Sequence, residues 1–220
     1  MTMAGWAGVV FVLLALLGTF IAGSPPDPDA GAGEIREFFV DNRSELLLGG
    51  LFQTLGFPFI IWWVVVHHRM AREAAGDTPL PGVMVIGLIL TGAGAMVFGA
   101  VANGVVWVDG AAETMSDDVL AFAWRASTLG FGVGMSTLFV FLAASALVVK
   151  RMEGMPAWLP WLGGLAAVLA LVSTLGVLDA EMGMLGFLGF IGFSLWILVL
   201  SGVMIAHGRE AAVKATPAHV

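Results

Sequence analysis

Six stretches of about twenty mostly apolar residues follow one another along this chain, separated by short polar segments. A helix that crosses the hydrocarbon core of a bilayer needs about 20 such residues. The stretches at residues 4–22, 46–66, 83–106, 119–149, 158–178 and 182–205 therefore predict six transmembrane helices. Together they predict an all-α polytopic bundle, a single transmembrane domain over residues 1–220 with no length left for a separate soluble domain. No Lys or Arg precedes the first stretch, whereas a secretory signal starts with basic residues, so it reads as a retained helix. Pro25, Pro26 and Pro28 end it, because proline cannot continue the hydrogen-bond ladder. Pro58, in the middle of the second stretch, predicts a kink. The fourth stretch is long enough to tilt or to project beyond the hydrocarbon.

The first connection carries a pattern of its own. In Glu34-Ile35-Arg36-Glu37-Phe38-Phe39 the apolar residues fall at i, i+3 and i+4, which predicts a short amphipathic helix lying in the membrane interface. Asn42, with Glu45 three residues on, fits a capping box at the start of the second span.

Composition agrees with lipid as the main solvent. The chain is 59% hydrophobic and 11% charged, with a mean hydropathy of +0.97. A soluble domain carries roughly 25% charged residues. The absence of Cys excludes disulfides, thiolate catalysis and thiolate metal sites. With no Tyr, the eight Trp must supply most of the interfacial anchoring. The net charge is −7 and no basic footprint for nucleic acid is present.

Charge also predicts orientation. Arg69, Arg72, Lys150, Arg151, Arg209 and Lys214 fall on one side of the six spans, and Arg36, Arg43 and Arg125 on the other. Short-loop Lys and Arg favour the cytoplasm, so both termini are expected inside, with the protein in the cytoplasmic (inner) membrane. All of the 16 acidic residues except Glu73, Asp77, Glu153 and Glu210 then face outward, making an acidic outer surface.

Small residues let helices approach closely in lipid. Gly130 and Gly134 form a GxxxG pair, and Gly183, Gly186, Gly189 and Gly192 recur every three residues in the sixth span. These stripes fit packing within the bundle, or a homodimer face.

Ionisable groups inside spans are functional candidates by default. Arg125, two turns into the fourth span, is the one that stands out. At 1.5 Å per residue, Gln53 lies roughly 12 Å below Glu45, and Asn103 about 9 Å below Asp109. Arg125 lies about 10 Å below Asp118, and Ser173 and Thr174 roughly 8–9 Å below Asp179. Four helices thus place polar groups at one depth, which predicts a polar layer beneath the acidic surface. Glu45, Asp179 and Glu181 are the expected partners of Arg125. Taken singly, each polar residue is also explained by interhelical hydrogen bonding, and Arg125 by snorkelling to the interface.

His67, His68 and His207 sit at the cytoplasmic edge, where a polar flank is expected; adjacent histidines on a helix point apart and form no chelate. No metal or cofactor is expected. No phosphate loop, HExxH or GxSxG occurs.

Several segments resemble an uncharacterised family of bacterial multi-span membrane proteins, of actinobacterial type, described as a domain of unknown function. They are Glu34–Phe39 with Asp41-Asn42-Arg43, Met155-Pro156-Ala157-Trp158-Leu159-Pro160-Trp161-Leu162-Gly163, and Phe193-Ser194-Leu195-Trp196. The resemblance implies a helical bundle in the cytoplasmic membrane and brings no activity with it.

Three functional expectations follow. The first is a membrane protein that binds a small amphipathic or lipidic ligand in an outward-facing pocket lined by Arg125, Gln53, Asn103, Ser173 and Thr174, with the Glu34–Phe39 helix over its mouth. The second is an intramembrane enzyme acting on an isoprenoid or lipid, with Glu45 or Asp179 as the catalytic acid. The third is a scaffold or accessory subunit that packs against another membrane protein or a second copy.

Overall fold

The computed structural model describes residues 1–179, 182 and 185–215, with side chains to His207. Its helices are α1 (Thr2–Ile21), α2 (Ala32–Asp41), α3 (Arg43–Ala75), α4 (Leu80–Trp107), α5 (Ala111–Thr114), α6 (Asp117–Val149), α7 (Leu159–Ser173) and α8 (Leu185–Ala215). A 3-10 turn over Thr174–Val177 extends α7. Six of these segments, α1, α3, α4, α6, α7 with its 3-10 turn, and α8, are long and apolar enough to cross a membrane. The protein is an all-α bundle of six candidate spans, as the apolar runs predict. Glu181 and Gly183 lie outside the described residues, as do the side chains of Arg209 and Lys214.

The helices extend beyond the apolar runs because polar residues with good helix propensity carry on the ladder. The second span continues to Ala75, with Arg69 and Glu73 paired at 3.0 Å one turn apart. It stops at Gly76, whose φ of 60° suits a residue without a Cβ. Pro58 lies inside α3 without ending it. The capping box at Asn42 does not form. Its side chain donates to the Phe38 carbonyl at 3.0 Å and so closes α2 instead of opening α3.

The six spans form a closed ring in the order α1, α3, α4, α6, α7, α8, with α8 returning to α1. α6 also reaches across the ring to α3 and α8. Glycines set the closest approaches. A Cβ on Gly18 would sit 2.7 Å from the Gly49 carbonyl oxygen, so α1 and α3 meet backbone to backbone there. Gly189 and Gly192 face Ala170 and Ala166 of α7, and Gly186 faces Phe131 of α6, so these three glycines of the last span are used within the bundle.

Apolar burial falls into two separate cores. The larger lies toward the end that carries Arg69, Arg72, Lys150 and Arg151, here the basic end. It contains Trp63, Met84, Leu138, Phe141, Leu142, Trp196 and Leu200. The smaller lies at the opposite, acidic end. There α2 buries Ile35, Phe38 and Phe39 against Val105, Val106, Ala112 and Leu120. The apolar face of α2 is therefore covered by protein, where the sequence pattern alone predicts a helix floating in the lipid interface.

Candidate functional site

A hydrogen-bonded cluster closes the basic half of the bundle. Trp63 and His67 on α3 stack with ring centroids 4.9 Å apart. Trp63 Nε1–H donates to Ser201 Oγ on α8 at 2.9 Å. Ser145 Oγ on α6 accepts the Trp196 Nε1–H at 3.1 Å and lies 2.8 Å from His67 Nε2. All five side chains are fully buried, and His67 Nδ1 has no hydrogen-bond partner among the described residues. Three helices are thus joined by polar contacts inside an apolar core. Sequence reading places His67 at a polar flank and Trp63 in the interfacial belt, and neither is there. A signal was present in the spacing: Gly56, Ile60, Trp63, His67 and Ala71 form one stripe at three- and four-residue intervals, and all are buried.

His207 is held separately, with Nε2 3.0 Å from the Gly154 carbonyl and Nδ1 3.0 Å from that of Val203. Among the described residues no three His, Asp or Glu side chains converge as a metal site.

The acidic end is closed by a different device. Arg36 on α2 donates to the carbonyls of Ala112, Glu113 and Met115 and pairs with Asp117 at 2.6 Å. Arg43 donates to the Val106 carbonyl at 3.0 Å and lies 3.3 Å from Asp109. Phe38 and Phe39 pack around Trp124, whose Nε1–H donates to the Asp27 carbonyl at 3.4 Å. This cap ties the α1–α2 connection, α2 and α5 to the ends of α4 and α6. Its surface holds a cavity of about 260 Å³ between the prolines 25–26 and the carboxylates Glu34, Glu37 and Asp41.

Between core and cap lies a layer that is only partly filled: Phe98 of α4 packs on Gly130 of α6, and the Thr91 and Thr137 hydroxyls bond at 2.8 Å, while other positions are open. From Leu88 to Gly104, α4 buries no residue. On α6, Phe131 shares the inward stripe of Leu138, Leu142 and Ser145; those three are at most 1% exposed, and Phe131 is 41% exposed. On α3, Gln53 lies between the buried Gly49 and Gly56 on the stripe that leads to Trp63 and His67, yet it is exposed. On α4, Ala95 shares the face of Met84 and Val106, both buried, and is exposed itself. A Cβ added at Gly92, Gly94, Gly99 or Gly134 would meet nothing within 4 Å. Positions that face the bundle axis by helical period are therefore open at this depth. By helical period these open positions on α3, α4 and α6 face one another between the core below and the cap above, and together they outline a cleft.

The polar residues expected at this depth separate into different settings. Gln53 is exposed on the inward stripe of α3, its stem beside Gly18 of α1, and its amide makes no hydrogen bond among the described residues. Asn103 borders the cleft at the α3–α4 contact, next to Gly50, with Nδ2 donating to the Gly99 carbonyl at 2.9 Å. Ser173 is buried between α7 and α8, where its hydroxyl accepts the Gly189 N–H at 2.9 Å and approaches the Leu169 and Leu185 carbonyls. Thr174 bonds back to the Leu171 carbonyl. Neither residue is brought to Gln53.

Arg125 is not brought there either. It lies on the outer stripe of α6 with Leu129, Val133 and Ser136, is exposed, and donates to the Pro28 carbonyl at 3.4 Å. Among the described residues no ion pair joins it to Glu45 or Asp179, both of which are exposed. The reason is angular. Depth along a helix follows from residue number, but Arg125 falls on the face of α6 that looks away from the bundle axis.

Comparison of the chain with protein-family models, with curated proteins and with solved structures finds no match.

Proposed function

We propose that this protein binds a lipidic molecule in the cleft between its core and its cap, without chemistry on it. The observation that carries the reading is Gln53, an amide in a membrane-spanning segment, on an inward stripe, with no partner in the described protein. A polar group without a partner in hydrocarbon costs several kcal/mol by transfer estimates, so a site that leaves one open is completed by what enters it. The open glycines of α4 and α6 supply room, and Phe131 supplies an apolar wall. If the basic end faces the cytoplasm, as the positive-inside rule favours, the cleft lies in the outer half of the bilayer. The proposed place of residence is then the cytoplasmic membrane. Membrane lipid is the partner this reading commits to.

Glu45 and Asp179 stand outside the cleft, which leaves an acid-catalysed reaction there without its acid. The scaffold reading differs in one respect: a helix of another membrane protein, or of a second copy, would fill the opening instead of a lipid.

The test is native mass spectrometry of protein extracted in mild detergent. One retained lipid, lost when Ala95→Phe fills the cleft in a protein that keeps its thermal stability, is the expected result. A bare protein mass overturns the reading, and a retained protein subunit in its place supports the scaffold.

A further inference from the structure

We infer that the molecule held in the cleft carries an uncharged hydrogen-bonding head group, a hydroxyl or carbonyl, and not a phosphate. This rests on the lipid-binding reading above and names its ligand class. Every arginine near this depth already has acceptors in the chain's own fold. Arg36 has three backbone carbonyls and Asp117. Arg43 has the Val106 carbonyl and Asp109. Arg125 turns outward to Pro28. No cation among the described side chains enters the cleft, so a phosphate placed there would be buried without a counter-charge, the costliest arrangement for an ion in a low-dielectric setting. Among the described residues the acidic end carries exposed, unbridged Glu45 and Asp118, whose charge disfavours an anion nearby.

What the cleft offers instead is neutral. Thr54 is spent on the Gly50 carbonyl, and Ser127 and Thr128 both on that of Trp124. Asn103 gives one amide hydrogen to its own helix. Gln53 keeps a complete amide, two N–H donors and a carbonyl acceptor, which matches a hydroxyl or an ester or ketone oxygen. Phe131, exposed on the inward stripe of α6 with its ring against Gly186 of α8, suits the apolar part of the same molecule.

The test titrates detergent-solubilised protein with dioleoylglycerol and, separately, with dioleoylphosphatidylglycerol, followed by native mass spectrometry. The two probes share acyl chains and differ in the charged head. Dioleoylglycerol is expected to bind in one copy and more tightly, with Gln53→Leu weakening it about three- to tenfold, the worth of one hydrogen bond. Thermal unfolding of the Gln53→Leu protein verifies that the fold is intact. Equal or tighter binding of the phosphatidylglycerol overturns the inference and leaves lipid binding standing. Dioleoylglycerol binding that Gln53→Leu does not change also overturns it. Binding of neither probe overturns the lipid-binding reading itself.

Discussion

The basic half of the bundle and the layer above it are built from the same kinds of helix and pack in opposite ways. Below, Trp63, Leu138, Phe141, Trp196 and Leu200 fill the axis, and Ser145 and Ser201 satisfy the two indoles. Above, the same stripes present Gln53, Ala95 and Phe131, and all three are exposed. In lipid, apolar side chains gain little by leaving the hydrocarbon, so helices associate through close van der Waals fit and polar contacts. Where large rings and hydroxyls interlock, the ring of helices closes. Where glycine and alanine take the same stripes, the helices still touch through Phe98 on Gly130 and the Thr91–Thr137 bond, but the inward positions between them are less filled, and the cap at the acidic end ties the helix ends together.

That contrast can be broken at its strong side first. Trp196→Ala removes a fully buried ring and leaves Ser145 without its donor. Unfolding in detergent is expected to show a loss of about 3–5 kcal/mol. Gly18→Val drives a side chain into the Gly49 carbonyl and is expected to cost about 1–3 kcal/mol, read from the same unfolding curves. Ser145→Ala strands the Trp196 N–H and His67 Nε2 together, and about 1–2 kcal/mol should be lost; an unchanged midpoint would mean that the buried cluster contributes packing only. Arg36→Ala should leave the core intact and speed amide hydrogen exchange across residues 32–41 and 111–117, because the cap loses its carbonyl clamp.

The smallest effect is the sharpest test of the cleft. Gly134→Ala adds a methyl where nothing stands within 4 Å and should be neutral or stabilise by up to about 1 kcal/mol through helix propensity. Gly189→Ala places its methyl 2.7 Å from the Met135 sulfur and 2.9 Å from Ser173 Oγ and should destabilise. Equal losses at the two glycines would show that the upper layer is as well filled as the lower.

The apolar runs were enough to determine that this chain is a six-span helical membrane protein, because a hydrophobic stretch of that length has no other way to satisfy its backbone in lipid. They also located Gln53 and Asn103 at a common depth, since rise per residue is fixed. The polar ends of helices were less legible. Propensity carried α3 to Ala75, well past its apolar run, and Asn42 closed α2 where a capping box was expected at α3. Only the tertiary structure decided which way each residue faces. It turned Arg125 outward to Pro28, sealed Ser173 between α7 and α8, and buried His67 beside Ser145. Depth is a property of one helix, whereas facing depends on how the neighbouring helices pack around it, and the apolar pattern of a span exposed to lipid leaves that rotation undetermined.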